Sequence, residues 1–186
     1  QGQGTLALEK LLTDHRNNAI RNDSALNHTY QQTVSLPNYQ KLSGMMHGFI
    51  DLIFEYEGKY YLCDYKSNHL GDDYKHYQHN SLLNNIEQNY YDLQYLIYAL
   101  ALHKYLQHTL VDYDVEKHFG GVYYLYLRGM NIAMCPENNQ QSNQQSGVYY
   151  RQITAKEIEQ LTLIFAEQCS AADMPKPMTN YEGENV

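Results

Sequence analysis

Apolar positions recur along this chain with two different periods, and the switch between them separates helix from strand. From Thr5 to about Ile20, Leu8, Leu11, Leu12 and His15 fall at helical spacing. The pattern predicts an amphipathic helix with Thr5 as N-cap and His15 at its rim. Asn17 to Asn27 is polar and reads as loop, and Thr29 to Leu36 alternates weakly as a short edge strand stopped by Pro37. Met45 to Tyr56 and Lys59 to Ser67 are apolar, aromatic-rich runs on either side of Glu57-Gly58-Lys59, which predicts a β-hairpin with a short loop. Asn68 to Ser81 follows, with His69, His76 and His79 beside Asp72 and Asp73. It lacks fixed ligand spacing and apolar anchors, and so reads as a mobile, solvated loop.

Leu82 to about Gln107 predicts the longest helix. Ile86, Leu93, Ile97 and Leu100 form its core stripe, while Glu87, Tyr91, Gln94, Tyr98 and Ala101 form a neighbouring stripe that can face the hairpin. Tyr113 to Gly121 reads as a loop into a third strand, Val122 to Leu127. Glu137 to Gly147 is low-complexity and predicts a flexible excursion, after which Val148 to Ile153 returns as a strand paired with the third. Thr154, with Glu157 three residues on, is a capping box for a last helix through Glu167. These elements predict an α/β fold, a small mixed sheet flanked by helices.

The hairpin carries charge where buried strands carry apolar residues. Asp51 lies in one run, Asp64 and Lys66 in the other. Residues two apart in a strand project from the same face, so the Asp64 carboxylate and the Lys66 ammonium emerge side by side. Converging two carboxylates costs desolvation free energy, which a divalent cation between them would offset, since hard cations favour carboxylate oxygens. The plainer alternative is two solvated strand-end aspartates with Lys66 as their salt-bridge partner. Gln94 and Tyr98, one helical turn apart, share a face.

These residues resemble a known family. Gly48-Phe49-Ile50-Asp51-Leu52, Asp64-Tyr65-Lys66-Ser67-Asn68 and Tyr91-Asp92-Leu93-Gln94-Tyr95, with Tyr98 four after Gln94, are similar to the RecB-type nuclease domains of the PD-(D/E)xK superfamily. Tyr113 to Gly121 and Tyr123 to Gly129 add to the likeness, which runs from about Met46 to Met130. The resemblance implies a restriction-endonuclease-like core and metal-dependent hydrolysis of DNA phosphodiester bonds. It implies that Asp51, Asp64 and the backbone carbonyl of Tyr65 hold Mg²⁺, with Mn²⁺ or Ca²⁺ able to substitute in binding. Lys66 would position the attacking water or offset charge on the phosphorus, and a lysine held against two carboxylates favours the electrostatic role. Gln94 and Tyr98 would contact DNA or orient the site. The family also carries a metal-binding histidine and an acidic residue upstream of the first aspartate. Neither is matched here, Glu9 included, so the ligand set is expected to be incomplete in this sequence.

The implied partners are linear DNA ends, single- or double-stranded, RecC- and RecD-type subunits and the RecA recombinase, in DNA repair and recombination. ATP is implied only for a helicase part outside this sequence. The chain opens at Gln1 without methionine and is expected to be a piece of a longer protein.

At 186 residues and 43% hydrophobic content the chain reads as one domain, 1–172, with a helix and connector over 1–44, a core over 45–172 and a loose tail at 173–186. No apolar run reaches membrane-span length, and no signal peptide opens it. Cys63, Cys135 and Cys169 are odd in number and widely spaced, as in reduced cytoplasmic proteins. The net charge of -8 has the wrong sign for gripping DNA unaided. Another domain or subunit is therefore expected to present the DNA, and the chain alone to bind and cleave it weakly. Twenty tyrosines supply ring surface that can stack on bases or pack in the core. The competing expectation is a nuclease-like docking module that binds partner proteins.

Overall fold

The computed structural model describes residues 3–22, 33–36, 48–130 and 146–166. The first helix, α1 (Gln3–Asn22), begins before Thr5, which is buried inside it and does not cap it. It also runs on through Asn17, where a loop was expected. Leu8, Leu11 and Leu12 are buried as the periodicity requires, and His15 joins them at 2% exposed instead of standing at the rim. Residues 33–36 keep the alternation, with Val34 and Leu36 buried, yet they form no strand. Their N–H groups go to side chains of α1: Val34 donates to Thr13 Oγ1 at 3.0 Å and Leu36 to Glu9 Oε1 at 2.8 Å.

The hairpin is β1 (Leu52–Tyr56) and β2 (Lys59–Lys66), joined by Glu57 and Gly58 at φ 51° and 75°. Positive φ at both loop residues is what a type I′ hairpin turn needs. β1 starts later than expected, because 48–50 is irregular and Asp51 is a bend; positions 45–47 lie outside the described residues.

The stretch after β2 is not the open loop its polarity suggested. It contains a 3-10 turn over Tyr74–Tyr77, capped by Asp73, with Tyr77 buried, and then α2 (His79–Gln88). The single long helix is two, α2 and α3 (Tyr91–Thr109), broken at Asn89 and Tyr90. Tyr90 takes a left-handed conformation at φ 53°. Tertiary contacts hold that strained residue: its hydroxyl donates to the Ser35 carbonyl at 3.0 Å, and Arg16 lies 5.5 Å over its ring. Leu93 and Ile97 are only half-buried, and the core stripe of α3 is Tyr95, Leu96, Ala99, Leu102 and Leu106.

The loop before the third strand contains one turn of helix, α4 (Val115–His118), capped by Asp114. β3 (Phe119–Tyr126) pairs in parallel with β2, and β4 (Val148–Arg151) pairs antiparallel with β3, so the sheet order is β1-β2-β3-β4. The last helix, α5 (Ala155–Ala166), opens on the expected capping box. The Thr154 N–H donates to Glu157 Oε2 at 2.8 Å, and the Glu157 N–H to Thr154 Oγ1 at 3.2 Å. Most of the low-complexity stretch, the tail, Cys135 and Cys169 lie outside the described residues, and Cys63 is a buried free thiol. Among the described residues no helix is long and apolar enough to cross a membrane.

The two faces of this mixed, helix-flanked sheet differ. Leu62, Asp64, Lys66, Val122, Tyr124, Tyr126 and Tyr149 are buried on the face that α2 and α3 cover. The other carries a row of rings, one per strand: Phe54, Tyr61, Tyr123 and Tyr150, with successive centroids 5.1, 5.8 and 4.8 Å apart. A bulge at Gly120 lets Tyr61 enter that row, since a Cβ there would sit 2.3 Å from its ring. Gly121 has φ 129°, and its Cβ would meet the Arg151 carbonyl at 2.7 Å. Gly121→Ala should therefore lower stability by about 2–3 kcal/mol, read as a fall in chemical-denaturation midpoint. An unchanged midpoint would mean the backbone relaxes there.

Candidate active site

The site forms where β2 ends against α3. Asp64 and Lys66 alternate with Tyr65 along β2, so both turn under α3 while Tyr65 turns to the open face. Both are more than nine-tenths buried, and Lys66 Nζ lies 2.7 Å from Asp64 Oδ2. Asp51 stands just ahead of β1 and is exposed. The hairpin register pairs Leu52 with Cys63, and one step further it sets Asp51 opposite Asp64. Asp51 Oδ2 accepts the Tyr65 N–H at 2.9 Å, which fixes its carboxylate against β2. Burial pushes the Cys63 thiol up, and the neighbouring Asp64 and Asp51 charges push it further.

Gln94 ties the pair to α3. Its Oε1 accepts from Lys66 Nζ at 3.0 Å and from the Tyr124 hydroxyl at 2.7 Å, while its Nε2 donates to the Tyr98 hydroxyl at 3.3 Å. Tyr98 in turn lies against Gly48, where a Cβ would come within 2.9 Å of its hydroxyl oxygen. One helical turn of α3 thus touches both the strand carrying Lys66 and the segment leading into Asp51.

Three more groups complete the site, none of which was nominated for a role from the sequence. The Lys66 ammonium lies 3.7 Å over the Tyr91 ring and 4.5 Å over the Tyr124 ring. Tyr124 is fully buried, and burial first, then the Asp64 charge, raises its hydroxyl well above the usual tyrosine range. Asn68 Nδ2 donates to the Tyr91 hydroxyl at 3.3 Å, beyond the end of β2. The place of Tyr91 three residues before Gln94 was a usable signal. Tyr124 lay within the Tyr123–Gly129 stretch of likeness, but its position opposite Asp64 depends on the parallel β2–β3 pairing.

Among the described residues no three His, Cys, Asp or Glu side chains cluster as a metal cage. The available donors are the two carboxylates and the Tyr65 carbonyl, all hard oxygens. That set suits Mg²⁺, which keeps several waters and shares its remaining positions with substrate phosphate. Glu9 is occupied with the Leu36 N–H, and His15 is sealed in the core with Glu157 and Tyr95, so neither supplies an upstream ligand.

Comparison with known proteins places the sequence in a family. The sequence matches the PD-(D/E)XK nuclease superfamily over residues 5–182. The chain belongs to that superfamily. It is accordingly a nuclease domain, a hydrolase, and the likeness of its hairpin and α3 motifs to RecB is matched by its relatives. It is 43% identical over 145 residues, 76% of the chain, to the RecBCD enzyme subunit RecB of Haemophilus influenzae. To the RecB subunit of Escherichia coli K12 it is 53% identical over 93 residues, half of the chain, and to that of Mycobacterium tuberculosis H37Rv it is 41% identical over 98 residues, 52% of the chain. These matches cover 11%, 8% and 9% of the relatives' own lengths, so the chain spans about a tenth of each.

Proposed function

We infer that this nuclease domain hydrolyses DNA phosphodiester bonds with Mg²⁺, as the nuclease part of a RecBCD-type helicase-nuclease in double-strand-break repair and recombination. The observation that carries the reading is the buried Lys66–Asp64 pair set opposite Asp51 and held by Gln94. Asp51, Asp64 and the Tyr65 carbonyl would hold the metal. When bound, Mg²⁺ supplies Lewis-acid polarisation of the phosphoryl oxygen and an acidified water.

The protein's own contribution is positional and electrostatic. Among the described residues, the neighbours of Lys66 Nζ attract positive charge: a carboxylate, an amide oxygen and two ring faces. Lys66 therefore acts as a fixed cation toward charge developing on the phosphate, instead of taking a proton from water. Gln94 and Tyr98 orient the site, by holding Lys66 and packing against Gly48. With a net charge of -8, the domain receives DNA ends from neighbouring parts of a larger cytoplasmic assembly. RecC- and RecD-type subunits, and the RecA recombinase, are the proposed partners.

Calorimetric titration with Mg²⁺ and with Mn²⁺ tests the site. Wild type should give a saturable heat that Asp51→Ala and Asp64→Ala each remove while keeping the melting temperature within a few degrees. Equal heats in wild type and both variants would place the metal elsewhere, or show a docking module without a metal site.

A further inference from the structure

Lys66 is anchored from three elements, and two of its anchors, Asp64 and Gln94, are residues the sequence singles out for the site. The remaining contacts come from Tyr124 on β3 and from the ring of Tyr91 at the start of α3. We propose that Tyr124 and Tyr91 are positioning residues for the nuclease reaction: the Tyr124 hydroxyl sets the Gln94 amide, and the Tyr91 ring seats the Lys66 ammonium. This rests on the metal-dependent cleavage inferred above.

The geometry gives the two tyrosines different duties. The Tyr124 hydroxyl lies 2.7 Å from Gln94 Oε1 and 3.1 Å from the Tyr91 carbonyl oxygen, and it has a single proton to give. Donated to Gln94, that proton makes Oε1 the acceptor end of the amide and leaves Nε2 for Tyr98. Lys66 then meets a fixed oxygen and not a rotating amide. Tyr124 can do this reliably because its ring is fully buried and packs edge-on against both Tyr91 and Tyr95. Tyr91 acts instead through its ring face, 3.7 Å from Nζ, close enough for a strong cation–π attraction. Its hydroxyl points away, to Asn68. So the ring of Tyr91 matters and the hydroxyl of Tyr124 matters.

That division separates positioning from packing. Tyr124→Phe keeps the buried ring, and Gln94 Oε1 still has Lys66, so the fold loses little. The expected result is a fall in kcat of about tenfold with KM within twofold and the melting temperature within about 3 °C. Its effect should largely vanish in a Gln94→Leu background, since the hydroxyl acts through that amide. Tyr91→Leu should lower kcat about tenfold, whereas Tyr91→Phe, which restores the ring, should stay within twofold of wild type.

The assay is single-turnover cleavage of linear DNA with Mg²⁺ by the protein in its native assembly, with Asp64→Ala alongside. Suppose Asp64→Ala is inactive while Tyr124→Phe and Tyr91→Leu cleave at wild-type rates, or lose only melting temperature. The positioning role is then wrong and the nuclease site stands. Full additivity of Tyr124→Phe with Gln94→Leu, or a Tyr91→Phe defect as deep as Tyr91→Leu, overturns it likewise. If wild type and Asp64→Ala are indistinguishable, the metal-dependent reading itself falls, and this inference with it.

Discussion

On the proposed function, Asp64→Ala should abolish DNA cleavage, by at least about a thousandfold, while ATP-driven unwinding by the proposed helicase-nuclease assembly persists. Asp64 makes two contributions to the proposed site. In the proposed site it would offer a carboxylate to the metal beside Asp51, and it is the ion-pair partner of Lys66 at 2.7 Å. A thousandfold loss corresponds to about 4 kcal/mol of barrier, a modest demand where the proposed site loses a metal ligand and misplaces its cation together. The substitution has a structural side, because it leaves a buried ammonium without its carboxylate. Asp64→Asn keeps the volume and one acceptor oxygen for Lys66. It should fold closer to wild type yet cleave as poorly, because a neutral amide holds Mg²⁺ weakly. Gel assays of cleavage beside an unwinding assay decide the matter. Cleavage within about tenfold of wild type in both variants would mean that the chemistry does not pass through Asp64.

The parts of this site legible in the sequence are those set by local spacing. Asp64 and Lys66 are two apart on a strand, Gln94 and Tyr98 four apart on a helix, and Glu57-Gly58 is a hairpin turn, so each could be placed from its neighbours. What stayed hidden depends on pairings across the chain. Tyr124 reaches Gln94 only because β3 lies parallel to β2 after a crossover through α2 and α3. The break between those helices carries no glycine or proline. It exists because Ser35 and Arg16, far away in sequence, hold Tyr90 in a conformation it would otherwise avoid. Residues 33–36 show the converse: the alternation of Val34 and Leu36 was real, but their N–H groups found α1 side chains instead of a strand.

His15, expected at a helix rim, is buried instead, and it leads to the largest expected effect on stability. Its Nδ1 meets Glu157 Oε1 and its Nε2 lies 2.6 Å from the Tyr95 hydroxyl, so one buried ring joins α1, α3 and α5. Burial alone would raise the Glu157 carboxyl. The hydrogen bond and charge of His15, with the Thr154 N–H and hydroxyl at 2.8 Å each, outweigh it and hold Glu157 at about 2. An unfolded glutamate titrates near 4.3. The folded value is therefore the lower one, and the stabilisation is complete above about pH 4.5 and lost as pH falls toward 2. Its size is on the order of 3 kcal/mol, roughly 6–12 °C in melting temperature for a domain of this length. Glu157→Gln should cost about that much at pH 7, and its melting temperature should fall less steeply than wild type between about pH 5 and pH 2. The two curves should converge at the acid end, where wild-type Glu157 is itself protonated. Parallel curves across that range would show that Glu157 is not the group whose protonation loosens the fold in acid.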